Sequence, residues 1–212
     1  RPPPPLSVVI YIVGTRGDVQ PFLAFAQALQ KDGHRVRLAT HSMYRQFVTD
    51  QGVEFYPLAG DPTKLSETMV KQGGRIIPLT AEEIRNSKEN LKMIEEIIHS
   101  TWPAATAPDP DGGGEGVPGA DFRADLVVAN PPAYGHVHVA EALGVPLHMF
   151  FPQPWVMTRH YPHPLANLRY GAGPSAAAFF SYLAIESMMW TGTGGLINDW
   201  RDRTLGLPRL RS

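Results

Sequence analysis

One carboxylate stands out by its surroundings. Asp18 closes the stretch Gly14-Thr15-Arg16-Gly17-Asp18, which follows an apolar run ending at Val13 and precedes Pro21. In α/β sheets the loop after a strand lies outside the carboxyl ends of the strands, where ligands bind. A lone acid there is placed to act as a general base. Asp18 has a second open role, as a cap or first-turn acid favoured by the positive end of the following helix. Gly14 and Gly17 permit a tight turn and let a ligand approach the backbone. Arg16 is able to meet a phosphate or to pair with Asp18. The stretch lacks G-x-G-x-x-G and any Gly-Lys-Ser/Thr ending, so it is neither a dinucleotide fingerprint nor a phosphate loop.

The histidines do not form a metal site by spacing. His136 and His138 are two residues apart, which on a helix separates them by about 200°. One is free to face a cleft while the other faces core or solvent. His34 reads as a turn residue. His41 ends a strand on the same sheet edge as Asp18. Trp155, Met157, Tyr161 and His163 concentrate in a loop after a strand. Loops of this kind commonly line sites, and Trp155, Met157 and Tyr161 would make an apolar pocket. Packing of the loop on its own domain is the alternative. Trp190, Trp200 and Met188-Met189 read as core or interdomain packing.

Positioning these groups requires a regular scaffold. Val8 to Val13 reads as a buried parallel strand, being continuously apolar. Pro21 to Lys31 reads as a helix with Phe22, Phe25, Ala26 and Leu29 on one face, closed by Gly33. Arg35–Thr40 and Val53–Tyr56 read as strands, with a helix from Ser42 to about Asp50 between them. A short helix is expected over Leu65–Gln72. A longer one, capped at Thr80 with Glu83 at its third position, runs to about Trp102. Further strands are expected at Asp125–Asn130 and Leu147–Phe151, flanking a helix over Pro132–Leu143. Helices at Ser175–Trp190 and about Gly195–Leu205 end the chain. Strand, helix and strand alternate as in a doubly wound α/β Rossmann-like parallel sheet. Residues 104–120, rich in Pro, Gly and Asp, are expected to be a mobile loop. Their acids Asp109, Asp111 and Glu115 lack the alternating array of a calcium loop.

Bulk properties narrow the function. The 212 residues carry a formal net charge of -1 and are 43% hydrophobic, which points to an ordinary globular protein and not to nucleic acid or an anionic membrane as partner. With no cysteine, a disulfide framework and a thiolate metal site are excluded, and an intracellular setting is favoured. No run approaches the roughly 20 apolar residues of a membrane span. Residues 1–6 read as a Pro-rich tail or linker, and residues 7–212 as a domain taken from a longer protein.

Several segments, in order, resemble the N-terminal half of sterol 3-β-glucosyltransferases, which are GT-B enzymes using UDP-glucose. They are GTRGDVQP (Gly14 to Pro21), THSMYRQFV (Thr40 to Val48), LAGDP (Leu58 to Pro62), HVAEALGVP (His138 to Pro146) and INDWRDRTLGL (Ile197 to Leu207). PW, TR and YPH between Pro154 and His163 add to these. The resemblance spans nearly all of residues 7–207. Two features depart from it: VMTRHYPH stands where the family has a TRTRAYPH-like stretch, and the Gly-rich insertion before Asp121 is peculiar to this chain. The plant small-molecule branch has His where this chain has Asp18.

The resemblance implies the acceptor-binding domain of an inverting enzyme, with a C-terminal nucleotide-sugar domain as partner in cis or in trans. It implies Asp18 as catalytic base and Gly14, Thr15, Arg16 and Gly17 on the donor side. The acceptor contacts would be His138, Trp155, Met157, Tyr161 and His163. No cofactor or metal is expected: arginines and helix N-termini would hold the diphosphate of UDP-glucose. A cytoplasmic enzyme is expected, and a lipophilic acceptor implies contact with membranes. Two other readings remain: a non-catalytic sterol or lipid carrier, and one subunit of a split enzyme, which predicts an exposed apolar face around Trp190 and Trp200.

Overall fold

The structure is a computed structural model that describes residues 4–64, 81–152, 155–166, 168–169, 171 and 173–211. The helix expected over Leu65–Gln72, the Thr80 cap and Pro154 lie outside the described residues. Five parallel strands make one sheet: β1 (Ser7–Tyr11), β2 (Arg35–His41), β3 (Glu54–Leu58), β4 (Leu126–Ala129) and β5 (Leu147–Met149), in the order β3-β2-β1-β4-β5. The expected doubly wound sheet is therefore present.

Alternation along the strands divides the core. Val8, Ile10 and Ile12 face helix α1 (Arg16–Lys31), with Phe22, Leu23 and Ala26 from it. Val9, Tyr11 and Val13 face the opposite layer of α3 (Ala81–Thr106), α4 (His136–Leu143) and α5 (Ala176–Trp200). Both faces of β1 are covered, which is why its run is apolar without a break. A short α2 (Arg45–Thr49) joins β2 to β3.

Three expectations about elements are corrected. Helix α1 begins at Arg16, five residues before Pro21, so Asp18 lies in its first turn. Pro21 is exposed, and water replaces the one helical bond its missing N–H removes. Helix α5 is one helix of 25 residues, not two. Its glycines do not break it because Gly194 lies against the Trp190 ring, where a Cβ would come within 2.9 Å. Helix α3 continues through Pro103, and Ala104 and Ala105 are core residues.

Residues 107–120 form a loop with contacts of its own. Asp109 is buried, and Arg45 grips its carboxylate with two bonds of 2.6 and 2.7 Å. The Asp109 carbonyl accepts from Gly112 and Gly119. Gly114 and Val117 form an isolated bridge, and Asp111 accepts from the Gly116 amide. The acids thus tie the loop to α2 and to itself. Among the described residues no cluster of acids and histidines suits a metal ion.

Two buried histidines give the fold a pH limit. Burial pushes both His136 and His138 down to about 4, with His138 adding to the effect on His136 and Arg201 to that on His138. Each ring is neutral in the fold, whereas an unfolded histidine titrates near 6.5. Below that value the unfolded chain takes up protons that the folded chain refuses, so stability falls as pH drops from about 6.5 toward 4. Within that window each histidine costs the fold at most about 1.4 kcal/mol for every pH unit of acidification. Urea unfolding at pH 7 and pH 5 should give a clearly lower midpoint at pH 5. Equal midpoints would mean that the two rings bind protons in the folded chain as readily as in the unfolded one.

Candidate active site

Strand order fixes where a ligand can enter. From β1 the chain crosses to β2 on one side, while β4 lies on the other, so the switch point falls between the carboxyl ends of β1 and β4. Such a crevice is the usual binding place in an open α/β sheet. The β1–α1 turn carrying Asp18 and the β4–α4 loop meet there.

The turn is pinned to its neighbours. The Asn130 side chain, just past β4, accepts from Val13 N–H at 3.1 Å and donates to the Val13 carbonyl at 2.8 Å. Thr15 gives its N–H and its hydroxyl to Oδ2 of Asp18, at 2.7 and 3.0 Å. Gly14 has φ +153°, and a Cβ there would run into the Asp18 carboxylate. Both roles open to Asp18 coexist in this geometry. Oδ2 caps the helix start, while Oδ1 accepts no hydrogen bond from the described residues.

The donor-side expectations divide. The Thr15 amide and hydroxyl are spent on Asp18, and the Gly14 amide is directed at His41. In this structure these groups of Gly14 and Thr15 are thus already paired within the protein. The amides of Arg16 and Gly17 begin α1 and have no helical acceptor. Arg16 does not pair with Asp18; its guanidinium lies 4.5 Å from the Phe47 ring centre, at the exposed start of the helix.

Of the expected acceptor contacts, the structure brings Trp155 and His163 together, with ring centres 4.6 Å apart. Trp155 also meets Phe151 edge-on at 5.2 Å, and His163 meets Tyr182 at 5.2 Å. His163 is buried, its Nδ1 accepts from the Leu165 amide, and burial lowers its pKa. It holds the loop rather than offering a free ring. Met157 is half-buried and Tyr161 exposed. A hollow of about 140 Å³ lies beside this loop, lined in part by His160, Pro162, Arg169 and Ala178. It does not include Asp18, and its volume falls short of the roughly 300 Å³ at which ligand pockets begin.

His138 is placed apart from that loop. Its ring is buried, its Nδ1 accepts from Arg201 at 2.9 Å, and it meets Trp200 edge-on. It belongs to the core between α4 and α5, on no exposed wall. Trp200 is 2% exposed and Trp190 half-buried, so the apolar face expected around them is covered.

Two features of the switch point were missed in the residues alone. Tyr134 has φ +51°, and the Gly135 amide reaches back to the Ala133 carbonyl at 2.5 Å, a γ-turn of unfavourable hand. Next to it, His136 Nδ1 is buried with no hydrogen-bond partner among the described residues. Such strain commonly gathers at functional edges. A tyrosine before a glycine carries no local signal of that conformation.

Comparison with known proteins gives three findings. The profile of the glycosyltransferase family 28 N-terminal domain matches residues 8–104. Two sterol 3-β-glucosyltransferases of Arabidopsis thaliana are 50% and 48% identical over 98% and 96% of the chain. One of Leptosphaeria maculans is 31% identical over 98%. The chain spans only 31% and 30% of the plant relatives' length and 13% of the fungal one's. Among solved structures, the glycotransferase of kitacinnamycin superposes over 99% of this chain and 43% of its own, with TM-score 0.57 at 18% identity. A calicheamicin glycosyltransferase does so over 96% and 47%, with TM-score 0.51 at 17% identity. These two share the GT-B fold with the chain.

Proposed function

We propose, from its 50% identity over 98% of the chain to a sterol 3-β-glucosyltransferase, that the chain is a member of that family and the acceptor-binding half of an inverting glycosyltransferase. The intact enzyme transfers glucose from UDP-glucose to the hydroxyl of a sterol-like acceptor. The observation that carries the reading is the Asp18 carboxylate at the switch point, one oxygen anchored and the other with no hydrogen bond from the described residues.

The chemistry follows from that carboxylate. The acceptor oxygen attacks the anomeric carbon as the bond to UDP breaks on the opposite face. An ordinary carboxylate is too weak a base to deprotonate an alcohol beforehand. As the sugar gains oxocarbenium character, the attacking oxygen becomes acidic, and Oδ1 of Asp18 takes its proton. Oδ2 meanwhile stays on the Thr15 amide and hydroxyl, which keeps the carboxylate from swinging. The departing diphosphate carries negative charge that the first-turn amides and Arg16 are placed to meet from this side. The greater part of donor binding falls to a nucleotide-sugar domain, in the same polypeptide or another.

The exposed side chains of Val156, Tyr161 and Phe180 give the loop and the start of α5 an apolar surface. That surface suits a lipophilic acceptor drawn from a membrane by a peripheral cytoplasmic enzyme. No helix among the described residues is long and apolar enough to cross a bilayer. The test is UDP-glucose turnover with a sterol, comparing this chain alone with the chain mixed with a nucleotide-sugar domain. Transfer by the mixture alone is expected. Sterol binding without transfer in either sample would instead indicate a carrier.

A further inference from the structure

Three consecutive amides of the β1–α1 turn are each met by a side chain. Asn130 takes Val13, Asp18 takes Thr15, and the amide between them, Gly14, donates to Nε2 of His41 at 3.3 Å. His41 is the last residue of β2, 27 positions away. Its other nitrogen, Nδ1, stands 3.1 Å from the Ala59 carbonyl beyond β3. A carbonyl only accepts, so Nδ1 carries the proton; an amide only donates, so Nε2 is bare. The ring is thereby neutral and held in one tautomer between two backbone segments.

The surroundings support that state. His41 is 2% exposed. Burial lowers its pKa against the opposing influence of the Ala59 and Gly60 backbone, and Asp61 is the charged group that bears on it. Protonation would place N–H against N–H at Gly14. Gly14 itself brings no side chain to stiffen the turn, since a Cβ would strike Asp18. The contact with His41 supplies that stiffness from outside.

Resting on the reading of Asp18 as base, we propose that His41 is a positioning residue: by holding the Gly14 amide it sets where the Asp18 carboxylate stands. It touches no reacting atom. Its effect is therefore on turnover rather than on acceptor binding.

The test uses two variants and two readouts. His41→Phe keeps ring volume and loses both hydrogen bonds. His41→Gln keeps an acceptor and a donor at similar reach. In the chain itself, nitrogen NMR at pH 7 should show His41 with Nδ1 protonated and Nε2 bare. Hydrogen exchange at Gly14 should be at least about tenfold faster in His41→Phe. In the chain mixed with a nucleotide-sugar domain, His41→Phe should lower kcat by about 10- to 100-fold, as a misplaced catalytic group does. The acceptor KM should stay within about twofold, and His41→Gln should restore most of the rate. A wild-type kcat in His41→Phe overturns the proposal, as does an Nε2-protonated ring. Absence of transfer by the wild-type mixture overturns the reading of Asp18 and with it the role. The tautomer and the Gly14 exchange then still decide whether the clamp itself exists.

Discussion

Asp18→Asn should lower glucosyl transfer by about 10²–10⁴-fold at saturating substrates, the usual contribution of a general base. The substitution is nearly isosteric. An asparagine Oδ1 can take over the Thr15 amide and hydroxyl, so the start of α1 should survive and the thermal midpoint should hardly move. The Nδ2 group would then stand where Oδ1 of Asp18 now does. It presents hydrogens to the acceptor hydroxyl and cannot receive one. Sterol binding by the variant should persist, which separates loss of chemistry from loss of the site. Asp18→Ala is the complementary control. It removes the carboxylate and its hold on the helix start, and should cost about 1 kcal/mol of stability besides the rate. Turnover by Asp18→Asn within a few fold of the wild type would leave Asp18 as a first-turn acid and nothing more.

Arg201→Ala should destabilise the chain by about 3 kcal/mol. Arg201 is fully buried, at the end of α5. Its guanidinium bonds to both Glu141 oxygens at 2.6 and 3.0 Å, to His138 Nδ1 at 2.9 Å and, through Nε, to the Pro208 carbonyl at 2.9 Å. It joins α4, the end of α5 and the segment that follows. Truncation leaves His138 Nδ1 without its donor and a void beside Trp200. The partners are unequal: the Glu141 side chain is 44% exposed and is rehydrated when the pair is broken. Glu141→Gln instead leaves the buried cation without its counter-charge but keeps one acceptor oxygen, and should cost about 2 kcal/mol. Urea unfolding of the two variants tests the difference. A loss under about 1 kcal/mol in Arg201→Ala would mean that the desolvation cost of the buried cation cancels its bonds.

The legible parts of this chain are those whose signal is local. The unbroken apolar run at Val8–Val13, the alternation of strand and helix, and Gly33 after α1 each reflect a preference of neighbouring residues. Together they sufficed for the parallel sheet and for the edge on which Asp18 stands. Local signals also misled. Pro21 reads as a helix start, yet the helix begins at Arg16 because a single missing bond on an exposed face costs little. Ser175–Trp190 and about Gly195–Leu205 read as two helices, yet one helix runs from Ala176 to Trp200 with Gly194 against the Trp190 ring. The composition of residues 104–120 gave no sign that Asp109 is bound by Arg45, 64 positions away in the chain.

By itself the sequence determined the element types, the fold class and the position of one acid at the sheet's functional edge, because periodicity and turn chemistry act between near neighbours. Only the tertiary structure decided that His138 belongs to the core with Arg201 and Trp200. Only it decided that the Gly14 amide is spent on His41, and that Asn130 and His41 brace the turn. Those contacts join residues 63, 117 and 27 positions apart. The first arises when α5 packs on α4 and the other two when β2, β1 and β4 are laid side by side, and no pattern of neighbouring residues encodes which donor will then face which acceptor.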